Sequence, residues 1–231
     1  MKINDLFDAV YYINLDSRTD RHEEFWRLNN NFLCKKSTIR IPAFDCSNSG
    51  FKNNQSDWQK IMTSRAAHAT SYSSVFNHAL NNKNRNILVF EDDAEPMFKD
   101  LSIFLKTMKS ARENDFEMLF LGGTIQSKIE KFNEHLYLVN GNVLTTHAIC
   151  FFDKNNLFQK IAKIAPTFKD GLINISQKGI ATDMITLNLS RFHKSFFPSN
   201  ILYGQYESFS DIDGKNASYN TDMIKRFEKF T

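Results

Sequence analysis

Three consecutive carboxylates, Glu91, Asp92 and Asp93, follow the apolar run Ile87-Leu88-Val89-Phe90. Four apolar residues ending in charge read as a buried strand, so the carboxylates emerge where that strand ends. In open α/β sheets, ligands bind in the crevice beyond the carboxyl ends of the strands. Three like charges at one strand end repel each other unless something positive sits among them. A divalent cation with hard oxygen ligands supplies that charge, and such cations also hold phosphates. Manganese and magnesium both suit carboxylate ligands. On an extended backbone Glu91 and Asp93 point to one side and Asp92 to the other. Asp93 is therefore the first candidate metal ligand, with Glu91 beside it, and Asp92 is left to anchor the loop. The plain alternative is a solvated acidic turn continued by Glu95 and Pro96.

Two arginines offer a complementary chemistry. Arg18 and Arg21 follow the apolar segment Ala9 to Leu15 and lie three apart, on one face of a helix start. A helix N-terminus after a first strand favours phosphate, and a guanidinium meets phosphate oxygens with two parallel hydrogen bonds. The competing reading pairs both arginines with Asp20, Glu23 and Glu24 on the surface. His147, within an apolar strand, could complete a metal shell through its imidazole, or simply be hydrogen-bonded in the core. Asp211 and Asp213 compete for that ligand role. His22, His78, His135 and His193 fall in no usable pattern.

The elements that must position these groups alternate between strand and helix. Ala9 to Leu15 is a strand, and Ser17 caps the helix after it, with Phe25, Trp26 and Leu28 turned inward. Ile39 and Ile41 mark a second strand, and Asp45 to Ser56 reads as a loop rich in Ser, Asn and Gly. A helix from about Ser64 to Asn81 carries His68 and presents Ala69, Tyr72, Phe76, Ala79 and Leu80 on one face. After the acidic strand, Leu101, Phe104, Leu105 and Met108 form another helical face, and Glu117 to Leu121 is a strand closed by Gly122-Gly123. Leu136–Val139 and Val143–Phe152 read as a strand pair turned at Asn140-Gly141-Asn142. Leu157 to Ile164 is a helix stopped by Pro166, Met184 to Phe192 a further helix, and Ile201-Leu202-Tyr203 a last short strand.

With 231 residues, 42% apolar and 24% charged, the chain has the length and composition of one sizeable α/β domain, residues 1–231, with its own core. A net charge of +3 is too small for an extended nucleic-acid surface. Cys34, Cys46 and Cys150 form no CxxC pair, which argues against a disulfide framework. No basic-then-apolar leader is present, and no apolar run approaches the ~20 residues of a transmembrane helix. The expected setting is cytoplasmic, unless the chain is a catalytic domain cut from something larger.

Taken in order, these motifs resemble glycosyltransferase family 25, which includes bacterial lipooligosaccharide galactosyltransferases and collagen galactosyltransferases. Ile13-Asn14-Leu15 with Arg18 and Arg21 looks like the family's opening. Ala67-His68 running through Val75, Phe76 and Ala79 to Val89-Phe90-Glu91-Asp92-Asp93 resembles its central block. Asp115 to Gly122, Thr145-Thr146-His147-Ala148, Ala181-Thr182-Asp183-Met184, Gln205 and Ser210-Asp211-Ile212 are similar to later blocks. The matches span about Val10 to Gly214. Ala67 stands where the family usually has Ser, and the Asp45–Ser56 loop matches nothing in it.

The resemblance implies a GT-A-like nucleotide-sugar-binding fold with a mixed, mainly parallel central sheet flanked by helices. It implies an inverting transferase that takes a hexose, galactose or glucose, from a donor such as a uridine diphosphate sugar to a glycan or protein hydroxyl. Asn14, Arg18, Arg21, His68, Glu91 and Asp92 would bind the donor. Asp93, Glu91 and His147 would hold manganese or magnesium. Asp183 would be the general base, since inversion needs a group to take the acceptor's proton; alternatively it only caps the helix at Met184. Two other classes stay open: an inactive carbohydrate- or nucleotide-binding module, and another metal-dependent enzyme acting on nucleotide phosphates. Against the second, no GxxxxGK loop is present.

Overall fold

A computed structural model describes residues 1–45, 57–164, 168–169, 172–173, 181–210, 215–217 and 219–231. Of the groups singled out above, Cys46, most of the Asp45–Ser56 loop, Pro166, Asp211 and Asp213 lie outside the described residues. The chain runs β1 (Ala9–Asn14), α1 (Thr19–Asn29), β2 (Thr38–Pro42), α2 (Asp57–Asn81), β3 (Asn86–Glu91), β4 (Ala94–Pro96), α3 (Leu101–Glu113) and β5 (Met118–Phe120). Then come β6 (Thr124–Ile125), β7 (Glu130–Lys131), β8 (Leu136–Val139), β9 (Val143–Leu144), β10 (Ala148–Phe152) and α4 (Leu157–Ile164). Two-residue strands β11 (Phe168–Lys169) and β12 (Leu172–Ile173) precede α5 (Thr182–Leu189). β13 (Ser195–Pro198), β14 (Tyr203–Gln205), β15 (Ser208–Ser210), β16 (Lys215–Ala217) and α6 (Asn220–Phe230) complete the order.

The central sheet has the order β2-β1-β3-β10-β5-β13-β8-β7. β2, β1, β3, β5, β13 and β7 share one direction, and β10 and β8 oppose them. The fold is therefore α/β, with a mixed, mainly parallel sheet. Every residue of β1 and the centre of β3 are buried, as parallel strands covered on both faces require. On one face Val10, Tyr12, Leu88, Phe90, Leu119 and Cys150 pack with Phe25 and Trp26 of α1 and Phe104 and Met108 of α3. On the other, Tyr11, Ile13, Val89, Phe120, Ile149 and Phe151 pack with Tyr72, Val75, Phe76 and Ala79 of α2 and Phe158 of α4. The 3–4 spacing of those α2 residues is one helical stripe. Burying a ring such as Phe76 stabilises the fold by roughly 1.5–3 kcal/mol relative to exposure. No described helix is long and apolar enough to cross a membrane.

Three local expectations are corrected. Leu136–Val139 and Val143–Phe152 do not pair with each other: β8 pairs with β13 and β7, and β10 lies between β3 and β5. The turn exists, with Gly141 at φ +66°, but Thr145 at φ +151° breaks the second segment, so β9 pairs with β6 before β10 enters the sheet. Ser17 is not the cap of α1; Arg18 occupies the N-cap, with no side-chain cap hydrogen bond. Asp183 is not the cap of α5; Ala181 is.

Candidate active site

The carboxyl end of β3 is assembled by its neighbours. β1 runs parallel to β3 with Ile13 level with Glu91, which brings Asn14 to Asp92; its Nδ2 donates to Asp92 Oδ2 at 2.7 Å. β10 runs antiparallel to β3, so the residues before Ala148 leave the sheet where Glu91 does. The Thr146 hydroxyl accordingly donates to Glu91 Oε1. β14 pairs with β4, setting Gln205 opposite Ala94, and Gln205 Nε2 reaches both Asp93 oxygens at 3.4 Å. β14 can pass this close because position 122 is glycine: a Cβ there would overlap the Tyr203 carbonyl oxygen.

Arg21, in the first turns of α1, bridges two of the carboxylates. Its guanidinium lies 2.7 Å from Asp92 Oδ1 and 3.4 Å from Asp93 Oδ2. The expected alternation, with Asp92 turned away from its neighbours, does not hold. The strand ends at Glu91 and the chain turns, so Asp92 and Asp93 meet the same arginine. Asp92 has the short hydrogen bonds, from Asn14 and Arg21, while among the described residues the Asp93 carboxylate has only three long ones.

The electrostatics follow from that difference. Burial, and then the neighbouring Glu91 charge, raise the Asp93 pKa from 3.8 to about 7 in spite of Arg21. Burial also raises that of Asp92 against the pull of Arg21 and Asn14. Glu91 goes the other way: burial opposes its charge, but His68 and the Thr146 hydroxyl bring it down to about 2. His68 Nε2, on α2, stands 3.3 Å from Glu91 Oε1. Burial disfavours the imidazolium, yet Glu91, with Asp183 and Asp93 beyond it, holds the His68 pKa above the usual value. Glu91 and His68 are thus a balanced pair, and Asp93 is the carboxylate short of positive charge.

These groups line one cavity of about 760 Å³. Asn14, Arg21, His68, Glu91, Asp92, Asp93 and Asp183 all reach it, from five separate elements and the turn after β3. Asp183, in the first turn of α5, accepts the Met184 N–H at 2.8 Å through Oδ1. Its Oδ2 accepts no hydrogen bond from the described residues. Arg18 and His147 are not brought to the cavity wall. Arg18 forms a two-pronged pair with exposed Asp20, at 2.9 and 3.0 Å, as the surface reading expected. His147 is buried, with Nδ1 2.5 Å from the Thr145 hydroxyl and Nε2 3.0 Å from the Tyr203 carbonyl. Burial lowers its pKa. With Nε2–H donating and Nδ1 accepting, neither nitrogen keeps a lone pair for a metal. His147 instead ties β14 to the start of β10.

Among the described residues no group of three His, Cys, Asp or Glu side chains is arranged to hold a metal. Magnesium-type sites, however, often use one or two carboxylates, with waters and substrate phosphates completing the shell. Asp93 fits that mode: it is buried, undercompensated and weakly hydrogen-bonded. Asp92 and Glu91 are already engaged.

Gln205, Thr146, Tyr206 and Arg40 were not among the expected site residues. Arg40 Nε donates to Asn14 Oδ1 at 3.0 Å, so Asn14 is held from both ends and acts by placing Asp92. Tyr206 lines the cavity, and its N–H binds the Asp93 carbonyl at 3.0 Å. Gln205 and Thr146 carried a signal in the sequence, their places in family-like blocks; Tyr206 and Arg40 carried none.

No family model and no curated protein matches the chain. Solved structures similar to it include the following three. Protein A197 from STIV has 10% identity and a TM-score of 0.42, over 94% of this chain and 93% of that one. Mannose-1-phosphate geranyltransferase from Thermus thermophilus has 8% identity and a TM-score of 0.43, over 85% and 74%. An apo UDP-glucose pyrophosphorylase has 9% identity and a TM-score of 0.42, over 96% and 79%. Likeness at this level does not bear on what the chain binds.

Proposed function

We propose that the chain is a metal-dependent, inverting glycosyltransferase with a GT-A-like fold. It would move a hexose, galactose or glucose, from a nucleotide-diphosphate sugar to a hydroxyl of a glycan or protein. The observation that carries this reading is that an undercompensated buried carboxylate, Asp93, shares one cavity with a second carboxylate, Asp183, from another element. Six carboxylates line that cavity, with Arg21 at the Asp92–Asp93 pair, a setting that suits a cation bringing a diphosphate.

Manganese or magnesium at Asp93 would neutralise the charge that develops on the leaving diphosphate. Arg21 holds Asp92 and Asp93 together and adds positive charge at the wall where the diphosphate would lie. The Glu91–His68 pair and Asn14 fix the strand end on which Asp93 stands. Asp183 takes the acceptor's hydroxyl proton on Oδ2 as that oxygen bonds to the anomeric carbon. The bond from that carbon to the diphosphate oxygen breaks in the same step, with inversion. Such a base contributes ~10²–10⁴-fold.

The test is release of uridine diphosphate from UDP-galactose and UDP-glucose. Release that requires manganese or magnesium and is lost in Asp93→Asn supports the reading. A wild-type protein that neither binds nor cleaves either donor with metal present overturns it.

A further inference from the structure

The cavity has two walls of different character. α1, which carries Arg21, packs on one face of the sheet, and α2 packs on the other. α5 lies against α2, where Ile185 meets Ala66 and Ala69. Arg65, one helical turn before His68 on α2, therefore shares a wall with Thr182 and Asp183, and all of them line the cavity. Glu91 and Asp93 lie between this wall and Arg21.

Arg65 differs from the other cationic groups of the cavity. Arg21 is committed to Asp92 and Asp93, and His68 to Glu91. Arg65 is exposed to the cavity and makes no hydrogen bond or ion pair with any described residue. On the same cavity wall, Thr182 is 3% exposed and its hydroxyl has no partner among the described residues. A guanidinium with no counter-ion among the described residues, in a cavity otherwise rich in carboxylates, is a standing offer to an anionic ligand. That ligand is not the donor's diphosphate, whose charge is met at the Asp93 and Arg21 side. It is a group that arrives beside Asp183.

We propose that the α2–α5 wall is an acceptor subsite, in which Arg65 selects a glycan carrying an anionic group close to the hydroxyl that attacks. The inference rests on the transferase reading and on Asp183 as its base. Carboxylate and phosphate both suit a guanidinium fork. An anion placed there without Arg65 would repel Asp183, so Arg65 both attracts the acceptor and screens the base from it.

The test uses the purified full chain with uridine diphosphate and manganese, on an array of three glycan sets. One set is neutral and galactose- or N-acetylglucosamine-terminated, one ends in glucuronate or sialate, and one carries sugar phosphates. The wild type is expected to retain one of the two acidic sets about tenfold or more over the neutral set, as a charged hydrogen bond predicts. The set retained identifies the anion. Arg65→Gln removes the preference and Arg65→Lys restores part of it. The thermal shift caused by uridine diphosphate with manganese stays the same in both variants. Three results overturn the inference while leaving the transferase reading intact: equal retention of neutral and acidic glycans, retention of none, or loss of the nucleotide shift in Arg65→Gln, which would assign Arg65 to the donor. A wild type that shows no nucleotide shift overturns the transferase reading and this inference together.

Discussion

Replacing Asp93 with Asn should make the metal-free protein more stable, although the residue is buried in the proposed active site. The Asp93 carboxyl moves from an ordinary pKa of 3.8 to about 7, with burial as the main cause and Glu91 next. Between those values the folded chain holds a proton that the unfolded chain has released. The resulting stabilisation is complete below pH 3.8 and is lost as pH rises through about 7. At 1.36 kcal/mol per unit, about three units set a ceiling of ~4 kcal/mol for ionising Asp93 in the fold at pH 8. Asn carries no charge there, but its amide N–H groups need new partners, so about 2 kcal/mol of net gain is expected. For a chain of this length that corresponds to a Tm increase of roughly 4–8 °C. Thermal melts with a chelator present, at pH 5 and pH 8, measure it. The Asp93→Asn advantage should be small at pH 5 and full at pH 8. A variant that melts below the wild type at pH 8, or a difference that does not grow between the two pH values, would refute the electrostatic account of this site.

The other expected outcomes separate structural from functional charge. Arg21→Ala leaves Asp92 and Asp93 buried without their shared counter-ion, so it should cost about 3–5 kcal/mol in melts and abolish nucleotide-diphosphate binding. Among the described residues Arg18 pairs with exposed Asp20, and breaking that pair with Asp20→Asn should change stability by no more than about 1 kcal/mol. Asp183→Asn should bind donor as the wild type does and lose ~10²–10⁴-fold in transfer; turnover near the wild-type level would leave Asp183 with only its hydrogen bond from the Met184 N–H. Glu117 is buried and accepts from His193, Asn155 and the Lys194 N–H at 2.9 Å each. Burial opposes its charge, but His193 and these donors lower its pKa below 4.5. That stability is present above pH 4.5 and lost as pH falls through the lower folded value, so Glu117→Gln should flatten the acid limb of the stability curve.

Much of the site's frame was legible because it is local. The unbroken apolar run of β3, the carboxylates after it and the 3–4 stripe on α2 each report their own burial. What stayed hidden depends on partners far along the chain. Asp92 and Asp93 were expected to diverge because strand alternation was extended past Glu91, where the backbone turns. Arg18 and Arg21 look equivalent in sequence, yet only Arg21 reaches the strand end; Arg18, at the N-cap, finds Asp20 first. The Asn-Gly-Asn turn promised a hairpin, but a turn motif cannot say that Thr145 breaks the following segment or that β10 will be taken up between β3 and β5. Gln205 and Tyr206 arrive through β14 pairing with β4, a contact more than a hundred residues long. α6 was not foreseen at all, although Met223, in its first turn, is buried and Asn220 Oδ1 accepts the Gln205 N–H at 2.8 Å.

The most direct test of the whole account is calorimetric titration of uridine diphosphate into the wild type and Asp93→Asn, each with and without manganese. The account predicts tight binding only when wild type and manganese are together. At 100 times its dissociation constant the ligand should add about 2.7 kcal/mol of stability, visible as a matching rise in Tm. Binding that is equally tight without manganese, or unchanged in a folded Asp93→Asn variant, would contradict the claim that Asp93 brings the donor diphosphate to this cavity through a divalent cation.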